Sequence, residues 1–544
     1  MISEILFLPL VALLIMAFVP PRFVNAYRWI ALTTSTLQLL WFLIQGVPTF
    51  ETHLQTNPTG FAFLQKAPWI LADLGDWGKL KIEYIVGVDG ISFLLVLLSL
   101  IVVWIATLAA WHIEKRPKAF FMLLMLLNTS MLGCFVSLDF FLFYLFYELM
   151  LLPMFFLIGI WGGARREYAA IKFFIYTLAG SVFLLLVMIG LAFSFSDEAI
   201  NGKPVYTFNL LSMMQTTADG NLAHLVPNSI FDFSSTIFGY DARLLGFLVT
   251  FIAFAIKVPV VPLHTWLPDA HVEAPTSISV ILAGVLLKVG GYGILRICYG
   301  IFPEGGIYFA WWIGLFGIIS MIYGALVATA QKDLKALVAY SSVSHLGYTL
   351  LGMASLTTAG MLGAELQLFN HGLTSAMLFL LVGVIYDRVH NREILNFSGL
   401  WSKMPQYSFF VLIAFFASLG LPGFNAFISE LFVFMGAFQA PFNKVSTIPL
   451  WMSIVGVLTI VLGAVYFLRT YRQMFFGVFQ PVGSDNWEEK LTDLNTREYI
   501  LLIPLAAMLL FWGIFPQTLI HLCEKSVGYL VEQTLAKGTL FFGK

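Results

Sequence analysis

The sequence predicts an all-α membrane protein with about fourteen transmembrane helices, two inverted five-helix repeats, and broken seventh and twelfth helices. Three observations predict it. Of 544 residues, 59% are hydrophobic and 11% charged, and the mean hydropathy is +0.88, so the chain is more apolar and less charged than a soluble domain. Runs such as Phe93 to Trp111 and Phe183 to Phe195 carry no charge at all, and in water they would leave large apolar surfaces uncovered. Finally, helix-breaking residues recur beside intramembrane charges at two corresponding places in the chain.

A hydropathy window places spans near residues 2–20, 28–46, 89–111, 118–136, 139–160, 169–194, 244–264, 277–299, 308–329, 334–355, 362–386, 407–437, 449–475 and 499–521. The first lacks a basic leader and a small-residue cleavage site, so it reads as a span and not as a removable signal. Placing the N-terminus outside puts Arg22, Arg28, Lys115, Arg116, Lys118, Arg165, Arg166, Lys332, Lys335, Arg388, Arg392, Lys403, Arg469 and Arg472 on the cytoplasmic side. By the positive-inside rule, both termini then face outward. The long outer loops, 47–88 and 195–243, read either as ordered caps or as flexible connectors. The tail from Leu519 onward reads as an interfacial amphipathic helix.

The net charge of −1 offers no basic field for nucleic acid. Cys134, Cys298 and Cys523 stand too far apart in sequence for a zinc, iron–sulfur or disulfide framework. Four ionisable residues lie deep within predicted spans: Glu148, Lys257, Lys288 and Glu430. At mid-membrane each costs roughly 2.5 to 3.5 kcal/mol, so each is expected to face a polar interior or a partner. His264, His345 and His371 add groups whose ordinary titration suits proton passage. Two readings fit these residues: static ion pairs that fix helix register, or a relay.

The stretch FAIKVPVVPLHTWLPDAH, Phe254 to His271, contains Pro259 and Pro262 just after Lys257. Each proline removes a donor and frees carbonyls that only protein or water can satisfy. In SLGLPGFNAFISE, Gly420, Pro422 and Gly423 precede Glu430 in the same way. An odd number of spans per repeat inverts the second copy. The expected units are therefore 1–115, with three helices; 116–304, the first repeat; 305–478, the second; and 479–544, the last helix and tail.

Taken together, KVPVVPLHTWLPDAHVEAPT, LAGVLLKVGGYGILR, AYSSVSHLGY, HGLTSAMLFLLVGVIYDRVHNR and SLGLPGFNAFISE closely resemble the antiporter-like subunits of respiratory complex I, NADH:quinone oxidoreductase. The glutamate at 430, where L and N types and related cation/proton antiporter subunits usually carry lysine, resembles the M type. So does the lack of a long helical extension after the last span. The resemblance implies that Glu148 and Lys257 form the family's charge pair. It implies that Lys288 is the central lysine, Glu430 the exit-side acid, and His345 and His371 the link between halves. It implies L-type and N-type neighbours in a bacterial inner membrane, with FMN, iron–sulfur clusters and quinone in partner subunits and none in this chain.

On this reading the chain is a proton-translocating subunit, moving protons from cytoplasm to outside. Two unit charges about 7 Å apart at an effective dielectric of about 20 interact by roughly 2.4 kcal/mol, comparable to moving one charge across 100 mV. The alternative is a subunit of a multi-subunit cation/proton antiporter. A haem protein would have only His345 and His371 to offer as axial ligands. The glycines of VGGYG, with no strand before them, suit helix packing and not a nucleotide.

Overall fold

The computed structural model describes residues 1–200, 203–215, 222–442, 446–480, 482 and 487–542. Ten helices among the described residues are long and apolar enough to cross a bilayer, and Ile2–Phe18 and Pro405–Ser418 are shorter apolar helices. Every predicted span overlaps a helix. The second runs farther than expected: Val24–Trp41 continues through a wide turn at Phe42–Gly46 into Val47–Thr56. The loop assigned to 47–88 therefore begins as helix.

The expectation of a purely helical chain is corrected by the loops at 47–88 and 195–243, which build a small sheet. Strand Ala62–Asp73 pairs antiparallel with Lys79–Val88, and the latter pairs parallel with Lys203–Thr207, itself antiparallel to Ser196–Ile200. The alternation in LKIEY supplies the period-two pattern of a strand, and Glu83 draws in Lys66 at 3.2 Å and Lys81 at 3.1 Å. The described parts of both loops are thus ordered.

At the centre stand Thr276–Tyr299 and Thr358–Val389, whose apolar windows are buried throughout. They approach closely at glycines. A Cβ on Gly372 would lie 2.8 Å from the carbonyl of Gly284, and one on Gly284 would lie 3.5 Å from that of Gly372. Helices Ala310–Ala330 and Leu334–Ala354 cross in the same manner at Gly317 and Gly347, where added Cβ atoms would meet the opposing carbonyls at 2.9 and 2.6 Å. Small residues at such crossings let backbones pack without a hydrophobic drive from lipid.

Both expected breaks are present. Helix Ala242–Lys257 stops at Lys257 and the chain turns until Trp266–Glu273. Protein groups satisfy the exposed backbone there: the Trp266 indole donates to the Ile256 carbonyl at 2.8 Å, and Val261 N–H donates to Ser320 Oγ at 3.2 Å. The later break separates Pro405–Ser418 from Asn425–Gln439. Gly420 and Gly423 hold φ of +65° and +95° there, which a side chain would strain. The tail is a helix, Gln517–Phe542, lying against Gly90–Ala109 and Thr358–Val389.

Candidate functional site: a line of ionisable groups through the interior

Lys288 belongs to Thr276–Tyr299, which is not a regular α-helix. Wide, π-type turns occupy Leu282–Leu286 and Ile294–Tyr299, on either side of Leu287–Gly293. Such turns often mark functional positions because they release backbone groups from the regular ladder. Here the Lys288 ammonium donates to the Ala283 carbonyl. Its Nζ also stands 2.9 Å from Nδ1 of His371 on the facing central helix, a distance set by the Gly284–Gly372 crossing.

From His371 the line continues to His345, with ring centroids 5.8 Å apart. His345 Nδ1 lies 3.6 Å from Glu430 Oε1, and its Nε2 faces Ser418 Oγ at 3.3 Å and the Tyr466 hydroxyl at 3.4 Å. The broken helix makes room for this acid, since a Cβ on Gly420 would stand 2.3 Å from Glu430 Oε2. Asn425 and Asn370 fix the neighbouring helix start through reciprocal hydrogen bonds of 2.9 and 3.1 Å. Ser429 donates to Gln367 at 2.5 Å and locks the same pair of helices.

Lys257 stands at the first break, fully buried, with no hydrogen-bond partner on Nζ. Its Nζ lies 4.6 Å from the centre of the Tyr147 ring, next in sequence to Glu148. Its helix meets Gly290, two residues past Lys288, where an added Cβ would be 3.0 Å from Lys257 Cβ. Glu148 forms no ion pair with Lys257 within 4.0 Å, and its Oε1 has no hydrogen-bond partner.

Glu148 lies within the apolar segment Phe140–Trp161, as expected, and its side chain is half-buried in the isolated chain. His264 is buried but stands apart from the line, edge-on to Tyr323 at 5.0 Å.

The geometry separates two kinds of buried charge. Arginines make structural pairs near the helix ends: Arg243 with Glu304, Arg296 with Asp89, and Arg388 with Glu498 through two bonds of 2.8 Å. Fixed, fork-shaped guanidinium groups suit such pairs. Among the described residues, neither Lys257 nor Lys288 has a carboxylate within 4.0 Å, and Glu430 faces only a histidine that is charged when protonated. Static pairing does not account for this set.

Other polar groups escaped the sequence reading. His271 is fully buried with neither ring nitrogen partnered, stacked on Phe379 at 4.5 Å. Near it, on the side carrying Arg388 and Arg392, opens a polar cavity of about 940 Å³ lined by Glu273, Lys335 and Asp387 among others. The one available signal was spacing: His271 follows His264 by seven residues across the break. Among the described residues, no group of three or more His, Cys, Asp or Glu is placed to hold a metal ion.

A helical bundle with two interrupted helices and titratable groups threaded between them defines the class of antiporter-like ion-conducting membrane subunits. Residues 137–463 match the family described as NADH:quinone oxidoreductase/Mrp antiporter, TM. The chain is 38% identical to NADH-quinone oxidoreductase subunit M of Rhodobacter capsulatus, over 99% of both chains. It also resembles a chain of respiratory complex I from Thermus thermophilus with bound NADH, with a TM-score of 0.79, 28% identity, and 98% and 100% of the two chains covered. A chain of the Mrp complex from Dietzia sp. DQ12-45-1b shares the fold, with a TM-score of 0.75 at 18% identity and 99% coverage of each. The chain belongs to the M-type antiporter-like subunits of NADH-quinone oxidoreductase.

Proposed function

We propose that this chain is a proton-translocating subunit of NADH:quinone oxidoreductase, carrying protons from the cytoplasm outward along Lys257, Lys288, His371, His345 and Glu430. The observation that supports it most is the near-continuous run from Lys288 to His371 at 2.9 Å, on to His345, and then to Glu430 at 3.6 Å. Protons enter from the polar cavity past Lys335 and His271 to Lys288. Water spans the remaining gaps.

Lys257 keeps its proton when Glu148 is ionised nearby and passes it toward Lys288 when that field weakens. Glu148, half-buried on the flank, is placed to sense a neighbouring subunit of L or N type. The chain crosses the inner membrane about fourteen times, with both termini outside. Helices from 116–304 and 305–478 form inverted repeats, a reading supported by the matching breaks after Lys257 and before Glu430. Residues 1–115 and 479–544 flank them. FMN, iron–sulfur clusters and quinone belong to partner subunits, and this chain contributes no redox site. For a cation/proton antiporter subunit, the support is likeness of fold alone.

The test is proton pumping in vesicles by the assembled complex. Lys257→Ala, Glu148→Ala and Lys288→Ala are each expected to abolish most pumping while assembly persists. Normal pumping by well-assembled complexes of all three would overturn the reading.

A further inference from the structure

Helix Thr358–Val389 carries another acid, one that the line through His371 does not use. Glu365 is fully buried, and both its carboxylate oxygens lack a hydrogen-bond partner. It precedes His371 by six residues, about 9 Å along the helix axis, toward the Thr358 end of the helix. A buried polar group without a partner calls for an explanation, and an ionised one is strongly disfavoured where a neutral acid is tolerated.

Its charged and titratable neighbours come from three other elements. Asp89 precedes Gly90–Ala109, caps it by accepting from Ser92 N–H at 3.0 Å, and receives a hydrogen bond from Arg296. Arg296 Nε also donates to the Tyr292 hydroxyl at 3.3 Å. The C-terminal helix adds Cys523. That helix covers the cluster directly: Gly90 N–H donates to Ser526 Oγ at 2.9 Å, and a Cβ on Gly90 would stand 2.5 Å from the Leu522 carbonyl. Lys288, Tyr292 and Arg296 lie on the same central helix at four-residue spacing, and the Tyr292 hydroxyl, which accepts from Arg296, donates to the Phe135 carbonyl at 3.2 Å.

We infer that Glu365 is a proton-holding site of the outer half, forming a release branch separate from Glu430 and covered by the C-terminal helix. The inference rests on the chain being proton-conducting. The Lys288 ammonium gives up a proton and becomes the amine. Water relays it and is restored, and the Glu365 carboxylate becomes the acid. Release outward returns the carboxylate, beside the Asp89–Arg296 pair. No electron moves.

Infrared difference spectra of the assembled complex read the carbonyl stretch of protonated carboxyl groups. One such band is expected to vanish in Glu365→Gln and shift in Glu365→Asp, and Glu365→Gln is expected to pump about twofold fewer protons per NADH oxidised, or fewer still. A purely structural neutral acid would be replaced by glutamine without loss. A band unchanged in both variants, or normal pumping by assembled Glu365→Gln, overturns the inference. If Glu365→Gln fails to assemble, Glu365→Asp carries the test, and an unshifted band overturns it. Lys288→Ala separates the two levels: pumping lost there but intact in Glu365→Gln sinks this branch alone, whereas pumping intact in Lys288→Ala as well as in Lys257→Ala and Glu148→Ala sinks the parent reading.

Discussion

His345 presents its two ring nitrogens to different groups: Nδ1 toward Glu430, and Nε2 toward Ser418 and Tyr466. An imidazole can accept on one nitrogen while it donates from the other, so a proton arriving from the His371 side can leave toward the acid. At 3.6 Å a charged pair would have roughly 4 to 5 kcal/mol of gross attraction at an effective dielectric of about 20. That is enough to bias where the proton rests. Glu430→Gln removes both the charge and the exchangeable proton and is expected to cut pumping severalfold. Glu430→Asp keeps both and should retain most of it. Equal, normal pumping in the two assembled variants would remove Glu430 from the path. The same scale separates the lysines, which stand without carboxylate contacts, from the arginines, which anchor helix ends.

Among the elements, the interrupted helices and the glycine crossings do most to place these groups. The break after Lys257 ends its helix at the lysine, and the break before Glu430 lets the Gly420 backbone approach the carboxylate. The wide turn before Lys288 gives the ammonium a backbone carbonyl without a counter-ion. The Gly317–Gly347 crossing holds the helix that bears His345 against its neighbour. Gly347→Val puts carbon where the Gly317 carbonyl stands 2.6 Å from the ideal Cβ position. Such overpacking costs about 1 to 3 kcal/mol or more. A lower melting temperature and less assembled complex are expected, measured by thermal unfolding and by native electrophoresis, and unchanged values for both would show that the crossing tolerates expansion.

Across the whole molecule, the features legible in the sequence were those that break a rule of the bilayer: lysines and acids inside apolar runs, and prolines or glycines beside them. Lys257, Lys288 and Glu430 stood out for that reason, and three of the flagged residues, Lys288, His371 and His345, do come together next to Glu430. Glu365, Arg296 and Lys335 did not stand out, because each lies near the end of its predicted span, and distance from a span end says nothing about what other helices cover. Glu148 shows the converse. Its depth along a helix was readable, but which way its face turns depends on the tertiary packing. The sheet went unread because its middle pairing joins Lys79–Val88 to Lys203–Thr207, more than a hundred residues apart in sequence.

The proposed relay requires that buried, unpaired bases and acids are retained because protons pass between them. The most direct measurement is a map of the assembled complex at a resolution that shows ordered water around Lys257, Lys288, His371 and His345. A continuous wet path joining Lys257 to Lys288 and His371 to His345 is the predicted result. Dry, tightly packed side chains in those gaps would contradict it.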